Sequence, residues 1–263
     1  MFMTIYFGPS GLGPVKESLT TLEKYHELGI RACEIDFTYG VYIKQEEAVI
    51  IGKKAKELGI KLSIHAPYWI NLNSEDKEKI KRSKERILEC CKIGSFLNAY
   101  RIVFHPGYYG KMEKEKAYEN IKRQIIEIQE EIKKRRYAPK LAPETMGKIN
   151  VFGSIEEIKK LVDETGCEFC LDFAHILARY KEDKIDYTLN LFKDKKELHI
   201  HFSGIEYNEK GERKHKRTEK ERLELLIKKL LKTKKEITII NESPYPLEDS
   251  ILGLKVEKEM IKK

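Results

Sequence analysis

The chain has 263 residues, which suits one large domain or two small ones, and 41% hydrophobic residues, as expected of a globular protein. Its apolar runs fall short of the roughly 20 residues that span a bilayer, and its N-terminal stretch lacks the basic start of a signal peptide, so we expect a cytoplasmic protein outside any membrane. The net charge of +8 is compatible with a nucleic-acid partner, and equally with a lysine-rich surface that has no such role. The charged fraction of 36%, rich in Lys and Glu, favours a thermophilic protein.

Short apolar runs alternate along the chain with longer amphipathic segments. The runs predict strands at 4–8, 32–37, 61–65, 100–105, 140–144, 167–172, 197–202 and 236–242. The segments with apolar residues at helical spacing predict helices at 15–29, 44–59, 75–97, 113–137, 154–166, 184–193, 218–232 and 246–262. Eight strand–helix units without a linker predict an α/β fold, the (β/α)₈ TIM barrel, in which a single domain spans residues 1–263.

The first strand-to-helix loop bears on the main alternative, a doubly wound open sheet. Such a sheet usually carries a glycine-rich phosphate-binding loop after its first strand. Residues 7–13, FGPSGLG, are glycine-rich but lack both the dinucleotide-binding spacing and the Gly-Lys-Ser/Thr ending. This stretch therefore favours a tight loop and, with it, the barrel.

The five cysteines, an odd number, predict no disulfide framework. Cys167 and Cys170 form a C-x-x-C motif that could mark half of a zinc site. The motif lies in a predicted strand, where residues three apart face opposite sides, so the two thiols are not expected to bind one metal. We expect these cysteines, and the adjacent Cys90 and Cys91, to be packing residues.

Residue types that bind metals end most of the predicted strands. They are His65, His105, Glu144, Asp172, His201 and Glu242. Because the strands of a barrel are parallel, these side chains are expected at one rim, where such barrels carry their active sites. His175 follows Asp172 by three positions and can reach the same pocket. His199, two residues before His201, is expected deeper in the barrel as a supporting residue.

This donor set predicts a metal centre rather than a simple acid–base pair. Several carboxylates in one pocket repel each other, and divalent cations relieve that repulsion. Mixed nitrogen and oxygen donors suit Zn²⁺, with Mn²⁺ or Fe²⁺ as alternatives, and their number indicates two or three ions that activate water for attack at phosphorus. Taken singly, a strand-end histidine is most often structural and a strand-end aspartate most often caps a helix, so the prediction depends on six strand ends agreeing.

Six short motifs follow one another in an order that resembles the endonuclease IV family of apurinic/apyrimidinic endonucleases. They are HAPYWINL (65–72), FHPG (104–107), PETMG (143–147), LDFAH (171–175), HFSG (201–204) and NESP (241–244). The resemblance covers most of the chain and implies a TIM barrel with two, or up to three, Zn²⁺ ions. It implies a DNA-repair hydrolase that cuts damaged double-stranded DNA 5′ to an abasic site by metal-hydroxide attack on the phosphodiester.

The resemblance also implies roles for individual residues. His65 and His105 resemble ligands of one ion, and Glu144 resembles the catalytic carboxylate that bridges it to a second. The remaining candidate ligands are Asp172, His201 and Glu242 for the second ion, and His175 and His215 for a third.

The loop that carries His215 departs from the family pattern. In the family an Asp-x-His motif supplies two ligands of the third ion, whereas Arg213 stands two residues before His215 here. Glu212 is adjacent and would substitute with a shifted backbone. A second departure is that FGPSGLG carries no histidine, which the family usually has near the end of its first strand.

The predicted DNA-facing residues lie on two loops. Tyr68 and Trp69 follow His65 at the same rim, at a position where family members wedge into the duplex. The alternative is that Trp69, the only tryptophan, packs its loop against the barrel. The loop that contains Arg213 and Lys214 would contact phosphates, which provides affinity without sequence specificity, although a solvated loop would look the same.

Two rival functions fit part of this pattern. A sugar isomerase or epimerase of the xylose-isomerase-like barrels would hold one divalent metal with only four of the donors, Glu144, Asp172, His201 and Glu242. A non-catalytic binder of damaged DNA would be marked by the missing aspartate of the third site. Motif order and basic charge favour the endonuclease, which we expect to be a monomer.

Overall fold

The predicted strands form a barrel in the computed structural model, which describes residues 5–262. The barrel strands are β1 (Ile5–Pro9), β2 (Ala32–Asp36), β3 (Lys61–His65), β4 (Arg101–Phe104), β5 (Lys140–Pro143), β6 (Leu171–Asp172), β7 (Glu197–Phe202) and β10 (Glu236–Asn241). All of their pairings are parallel. The TIM-barrel prediction is confirmed. The first residue of the predicted first strand lies in residues 1–4, which, like residue 263, are outside the described part of the chain.

Two sheets of four strands make up the wall of the barrel, in the orders β1–β10–β7–β6 and β2–β3–β4–β5. Single parallel bridges join the sheets, between Ser10 and Glu34 on one side and between Glu144 and Cys170 on the other. Each join therefore involves a carboxylate residue, Glu34 in the middle of β2 and Glu144 directly after β5.

The amphipathic segments form the outer helices. A 3₁₀ turn (Val15–Glu17) precedes α1 (Ser18–Glu27), and the others are α2 (Gln45–Glu57), α3 (Lys77–Leu97), α4 (Lys114–Arg135), α5 (Ile155–Thr165), α6 (Phe173–Tyr180), α7 (Ile185–Leu191), α8 (Lys220–Leu230) and α9 (Pro246–Ile261). The ends of α5 follow from its sequence, because Ser154 and Glu157 form a reciprocal capping box and Gly166 ends the helix in the left-handed conformation. Across residues 5–262, none of the helices has the length and apolar character needed to cross a membrane.

Two elements differ from the prediction, and both help to form the rim. The stretch at 204–218, expected to be a loop, contains an antiparallel hairpin of β8 (Gly204–Asn208) and β9 (Gly211–Lys216). Its largely exposed and charged residues hide the strand pattern. Helix α6 was not among the predicted helices. It begins directly after β6, where Asp172 caps it by accepting the N–H of His175 at 2.7 Å. The strand predicted at 167–172 is shortened at its start to residues 171–172, and Cys170 makes only an isolated bridge with Glu144.

The interior of the barrel carries polar side chains beneath the rim. TIM barrels usually fill this space with branched apolar residues. Here Glu34, Ser63 and His199 are almost fully buried and form one hydrogen-bonded group with Tyr100. The five cysteines, all within the described residues, are free and buried, as expected of packing residues.

Candidate metal centre

The carboxyl ends of the barrel strands bring the predicted donors to one rim. Each donor is one of the last two residues of its strand or directly follows it: His65, His105, Glu144, Asp172, His201 and Glu242. Glu144, Asp172 and His201 are fully buried, whereas His105 and Glu242 reach the wall of an open cavity of about 360 Å³. The predicted donors therefore form the floor and sides of a single pocket.

Glu144 lies at the centre of these donors. Its Oε2 is 3.3 Å from His65 Nε2 and 3.1 Å from His105 Nε2. Its Oε1 is 3.2 Å from His201 Nδ1 and 3.3 Å from His175 Nδ1. One carboxylate thus faces two separate groups of histidines, which is the arrangement that a bridging ligand requires.

Two donor sets share Glu144. The first set is His65, His105 and Glu144, and the second is Glu144, Asp172, His201 and Glu242, each with donor atoms within 4.8 Å of one another. The two oxygens of the Asp172 carboxylate have different surroundings. Its Oδ1 caps α6, whereas its Oδ2 is buried without a hydrogen-bond partner in the described part of the chain. A buried carboxylate oxygen in this state suits a cation ligand, so the aspartate is both a helix cap and a candidate ligand.

Asp172, His175 and His215 form a third set within the same 4.8 Å limit. Glu212 adds a carboxylate to this set, since its Oε2 is 3.4 Å from His175 Nε2. The rings of His175 and His215 meet edge to face, with centroids 5.3 Å apart. The hairpin therefore supplies both a histidine and a carboxylate to the pocket.

A β-bulge explains how Glu212 reaches the third set. Residues three apart on a regular strand face opposite sides, so Glu212 and His215 would diverge. The pairing shifts after Glu206, and Arg213 is left as the extra residue between the paired Glu212 and Lys214. The bulge brings Glu212 to the face of His215, while the side chains of Arg213 and Lys214 stay 62% and 69% exposed.

Gly147, in the loop after β5, makes room for the hairpin. A Cβ at this position would meet the Glu212 Cβ at 2.6 Å and the His175 Cα at 3.2 Å. The N–H of Glu212 donates to Gly147 O at 3.2 Å, and Arg179 of α6 donates to Lys148 O at 2.6 Å. The glycine of the PETMG motif thus fixes the hairpin against the pocket.

Neighbouring oxygens orient three of the histidines. His65 Nδ1 lies 2.9 Å from the carbonyl oxygen of the next residue, and His175 Nδ1 lies 3.0 Å from Thr145 O. His215 Nδ1 lies 2.7 Å from Ser203 Oγ. His65 Nε2 then faces Glu144, and His175 Nε2 faces Glu212. Contacts of this kind fix the ring and the tautomer of histidines that bind metals.

The carboxylates and imidazoles shift one another's pKa values. Burial acts to raise the pKa of Glu144, but the surrounding histidines, His201 foremost, hold it well below its ordinary value. Burial raises the pKa of Asp172 to about 6. Burial lowers the pKa of His65, yet its hydrogen bond to Glu144 and the nearby charges outweigh that effect and raise it to about 9. The pocket holds its carboxylates ionised only with added positive charge, either protons on the imidazoles or divalent cations.

Exposed aromatic side chains stand at the mouth of the cavity. Tyr68 and Trp69 are 55% and 58% exposed, and Tyr39, whose ring centroid lies 6.4 Å from that of Trp69, is 79% exposed. Tyr68 stacks on His105 with ring centroids 5.8 Å apart. This exposure argues against the alternative in which Trp69 only packs its loop against the barrel.

The motifs do not predict that β2 contributes to the pocket. Glu34 Oε1 lies 2.8 Å from His201 Nε2, and Ser10 Oγ donates to Asp36 Oδ2 at 2.5 Å. Burial acts against the charge of Glu34, but His201 and His199 hold its pKa well below the ordinary value. The available signal is the pair of acidic residues two apart within the apolar run ACEIDF, which places both on one face of a strand.

The sequence model of the family described as "Xylose isomerase-like TIM barrel" matches residues 22–262. An uncharacterised protein of Methanocaldococcus jannaschii is 35% identical, over 97% of this chain and 98% of its own length. A probable endonuclease 4 of Acholeplasma laidlawii is 34% identical, over 53% of this chain and 50% of its own length. The resemblance to endonuclease IV that the motifs indicate is confirmed by these matches.

Solved structures match the whole barrel. SacUVDE has a TM-score of 0.76 at 18% identity, with 100% of both chains covered. Endonuclease IV from Thermus thermophilus has a TM-score of 0.72 at 19% identity, with 98% of both chains covered. A D-psicose 3-epimerase has a TM-score of 0.69 at 16% identity, with 99% of this chain and 98% of its own chain covered. At these identities the matches establish the fold alone. The sequence match over residues 22–262 shows that the chain belongs to the xylose isomerase-like TIM barrel family, and its fold is shared by endonuclease IV and the D-psicose 3-epimerase.

Proposed function

We propose that the protein is a metal-dependent endonuclease of the endonuclease IV type, which cuts DNA 5′ to abasic sites. One observation carries the proposal: the donors predicted from the sequence form three adjoining sets, of which two share Glu144 and two share Asp172. A single-metal enzyme needs only one set and leaves the histidines of the others without a common purpose. Adjoining metal sites are a recurrent arrangement in phosphodiester hydrolysis.

The residues of the pocket fit divalent cations. Imidazole nitrogens and carboxylate oxygens suit Zn²⁺, and they also accept Mn²⁺. Each of the two sets that share Glu144 would hold one ion, and the third set would hold another, with Glu212 in the place of the family's aspartate. When bound, such ions lower the pKa of water and offset the negative charge of a phosphate.

Other proposed roles belong to individual side chains around the metal sets. Glu144 sets the spacing of the two sets, because each of its oxygens faces a different group of histidines. Tyr68 and Trp69 offer exposed rings on which bases can stack at a lesion. Arg213 and Lys214 would contact phosphates and provide affinity without sequence readout, which the net charge of +8 supports.

A sugar epimerase is the second candidate function. The set of Glu144, Asp172, His201 and Glu242 is complete by itself, and an epimerase is among the structural matches. This function gives no metal-binding role to His65 and His105, which face Glu144 Oε2. It predicts one metal ion per chain and turnover of a keto sugar.

Incision of an end-labelled duplex with a single abasic-site analogue tests the proposal, with metal content determined on the same preparation. Cleavage 5′ to the lesion by protein with two or three ions per chain supports the endonuclease. One ion per chain without cleavage supports the epimerase, which ketose turnover would then examine. Tight binding of the abasic duplex without cleavage by metal-loaded protein would identify a non-catalytic damaged-DNA binder.

A further inference from the structure

Glu34, a carboxylate inside the barrel, belongs to none of the donor sets that share Glu144. It is 0% exposed, and its side chain reaches from β2 to β7. Its Oε1 lies 2.8 Å from His201 Nε2, while its Oε2 accepts hydrogen bonds from Ser63 Oγ at 2.7 Å and from His199 Nε2 at 3.0 Å. Burying an ion costs several kcal/mol unless it is well paired, so a purely apolar filling would be the less costly interior.

We propose that Glu34 is the positioning residue of His201 and holds this ring with Nδ1 turned toward Glu144 and Glu242. The inference rests on the proposed metal centre, since it assigns Nδ1 of His201 as the ligand atom. Nδ1 lies 3.2 Å from Glu144 Oε1 and 3.3 Å from Glu242 Oε1, whereas Nε2 faces Glu34. A flipped ring would lose the contact with Glu34.

The other contacts of Glu34 keep its carboxylate in place for this role. Ser63 and His199 both approach Oε2, which leaves Oε1 to His201. His199 is held from its other side, because its Nδ1 lies 2.5 Å from Tyr100 OH. The interior group thus runs from the lower barrel to the pocket and ends on a candidate ligand.

The contact between Glu34 and His201 is close but not linear. Within residues 5–262, neither Glu34 Oε1 nor His201 Nε2 has an aligned hydrogen bond, although the two atoms are 2.8 Å apart. The two atoms are close polar neighbours, and the charge of the Glu34 carboxylate strengthens their contact. An uncharged amide of the same shape would not reproduce it, and this property separates a positioning carboxylate from a polar side chain that only fills space.

Metal affinity of Glu34→Gln, compared with that of Ser63→Ala, tests the inference. A carboxylate behind a ligating histidine typically contributes about 10–100-fold in metal affinity. We expect Glu34→Gln to weaken Zn²⁺ binding by that factor in chelator competition and to shift the absorption spectrum of the Co²⁺-substituted protein. Ser63→Ala removes one hydrogen bond from the same carboxylate but keeps its charge and its contact with His199, so it should change affinity and spectrum much less than Glu34→Gln does. Wild-type affinity and spectrum in Glu34→Gln would overturn the inference.

A measurement on the unsubstituted protein covers the case in which Glu34→Gln does not fold. Isotope-labelled cadmium bound to protein with labelled histidines shows a scalar coupling to each ligating nitrogen. Coupling to His201 Nδ1 is expected, whereas coupling to Nε2 would overturn the inference and place the ion toward Cys170 and His199, whose donor atoms lie within 4.8 Å of it. Wild-type protein that binds no divalent cation would remove the proposed function as well, while bound cations with Nε2 coupling would remove this inference alone.

Discussion

Donors on the barrel strands and donors on the β8–β9 hairpin reach the same pocket by different means. Glu144, Asp172 and His201 are fully buried, and their positions follow from the register of parallel strands. Glu212 and His215 are partly exposed and depend on a bulge and on close packing against the loop after β5. The barrel donors therefore cannot move without rearranging the wall, whereas one extra residue in the hairpin changes the spacing of its ligands.

This difference explains how the third set tolerates an altered motif. In an Asp-x-His motif both residues share a face of a regular strand. Here Glu212 and His215 are three apart, and the bulge at Arg213 restores the shared face. A substitution of the family's aspartate by arginine therefore does not by itself remove a carboxylate from the third set.

Among all substitutions, Glu144→Gln, at a barrel donor, is expected to have the largest effect on metal binding and activity. The amide keeps the shape of the side chain but removes the charge that two donor sets face, so we expect loss of metal from both and a fall in kcat/KM of about 10³-fold or more. Metal analysis and the incision assay measure the two effects. Glu115→Gln, on a side chain of α4 that is 74% exposed, is the matched control. Full metal content in Glu144→Gln would remove the bridging role.

The barrel donors also predict how the metal-free protein responds to pH. Burial lowers the pKa of His65, but Glu144 outweighs it, and the pKa rises from 6.5 to about 9. Protonated His65 therefore stabilises the fold fully below about pH 6.5, and a contribution on the order of 3 kcal/mol is lost as the pH rises through about 9. Unfolding of chelator-treated wild type and His65→Gln should show a difference in the free energy of unfolding that shrinks over this range.

Metal-loaded protein is the control for this titration. Bound metal replaces the proton on His65, so the loss of stability between about pH 6.5 and 9 should disappear when the pocket is loaded. A difference between wild type and His65→Gln that stays constant with pH in the metal-free proteins would contradict the assigned pairing with Glu144.

On the hairpin side, Glu212→Gln is expected to remove one ion per chain and lower incision by about 10–100-fold, while the barrel sets keep their metal. Arg213→Asp recreates the family spacing in sequence only, and should leave metal content unchanged because residue 213 is the exposed bulge. It should weaken DNA binding, because it replaces a cation proposed to contact phosphates. Glu209→Gln, on a hairpin side chain that is 94% exposed, is the control. A gain of metal in Arg213→Asp would show that the hairpin has a regular register instead.

The barrel and its donors could be predicted because both depend on local sequence. Apolar periodicity marks the strands, and the parallel direction of the strands places their ends together, so residues as distant as His65 and Glu242 could be assigned to one rim. The roles of Tyr68 and Trp69 in DNA binding rest on the family resemblance and on their exposure, and they remain predictions.

The hairpin and the pairing of Glu34 with His201 could not be predicted, because they depend on contacts between remote segments. The bulge at Arg213 is set by the fit of the hairpin against Gly147, and few apolar residues mark its strands. The pairing of Glu34 with His201 depends on which residues of β2 and β7 reach the same height inside a closed barrel. The sequence shows that a charged residue lies within an apolar run, but it does not show which remote residue pairs with it.

The smallest effect is expected outside both regions, at the aromatic mouth of the cavity. Stacking of a base on an aromatic side chain is worth about 1–3 kcal/mol, so Trp69→Ala should weaken binding of an abasic duplex by roughly 10-fold. Metal content should not change, because the substitution leaves all three donor sets intact. Leu225→Ala, which truncates an apolar side chain of α8 that is 41% exposed, is the control. Wild-type affinity in Trp69→Ala, with metal fully bound, would mean that the bound duplex does not stack on Trp69. This variant separates substrate binding from metal binding, which substitutions among the barrel and hairpin donors cannot do.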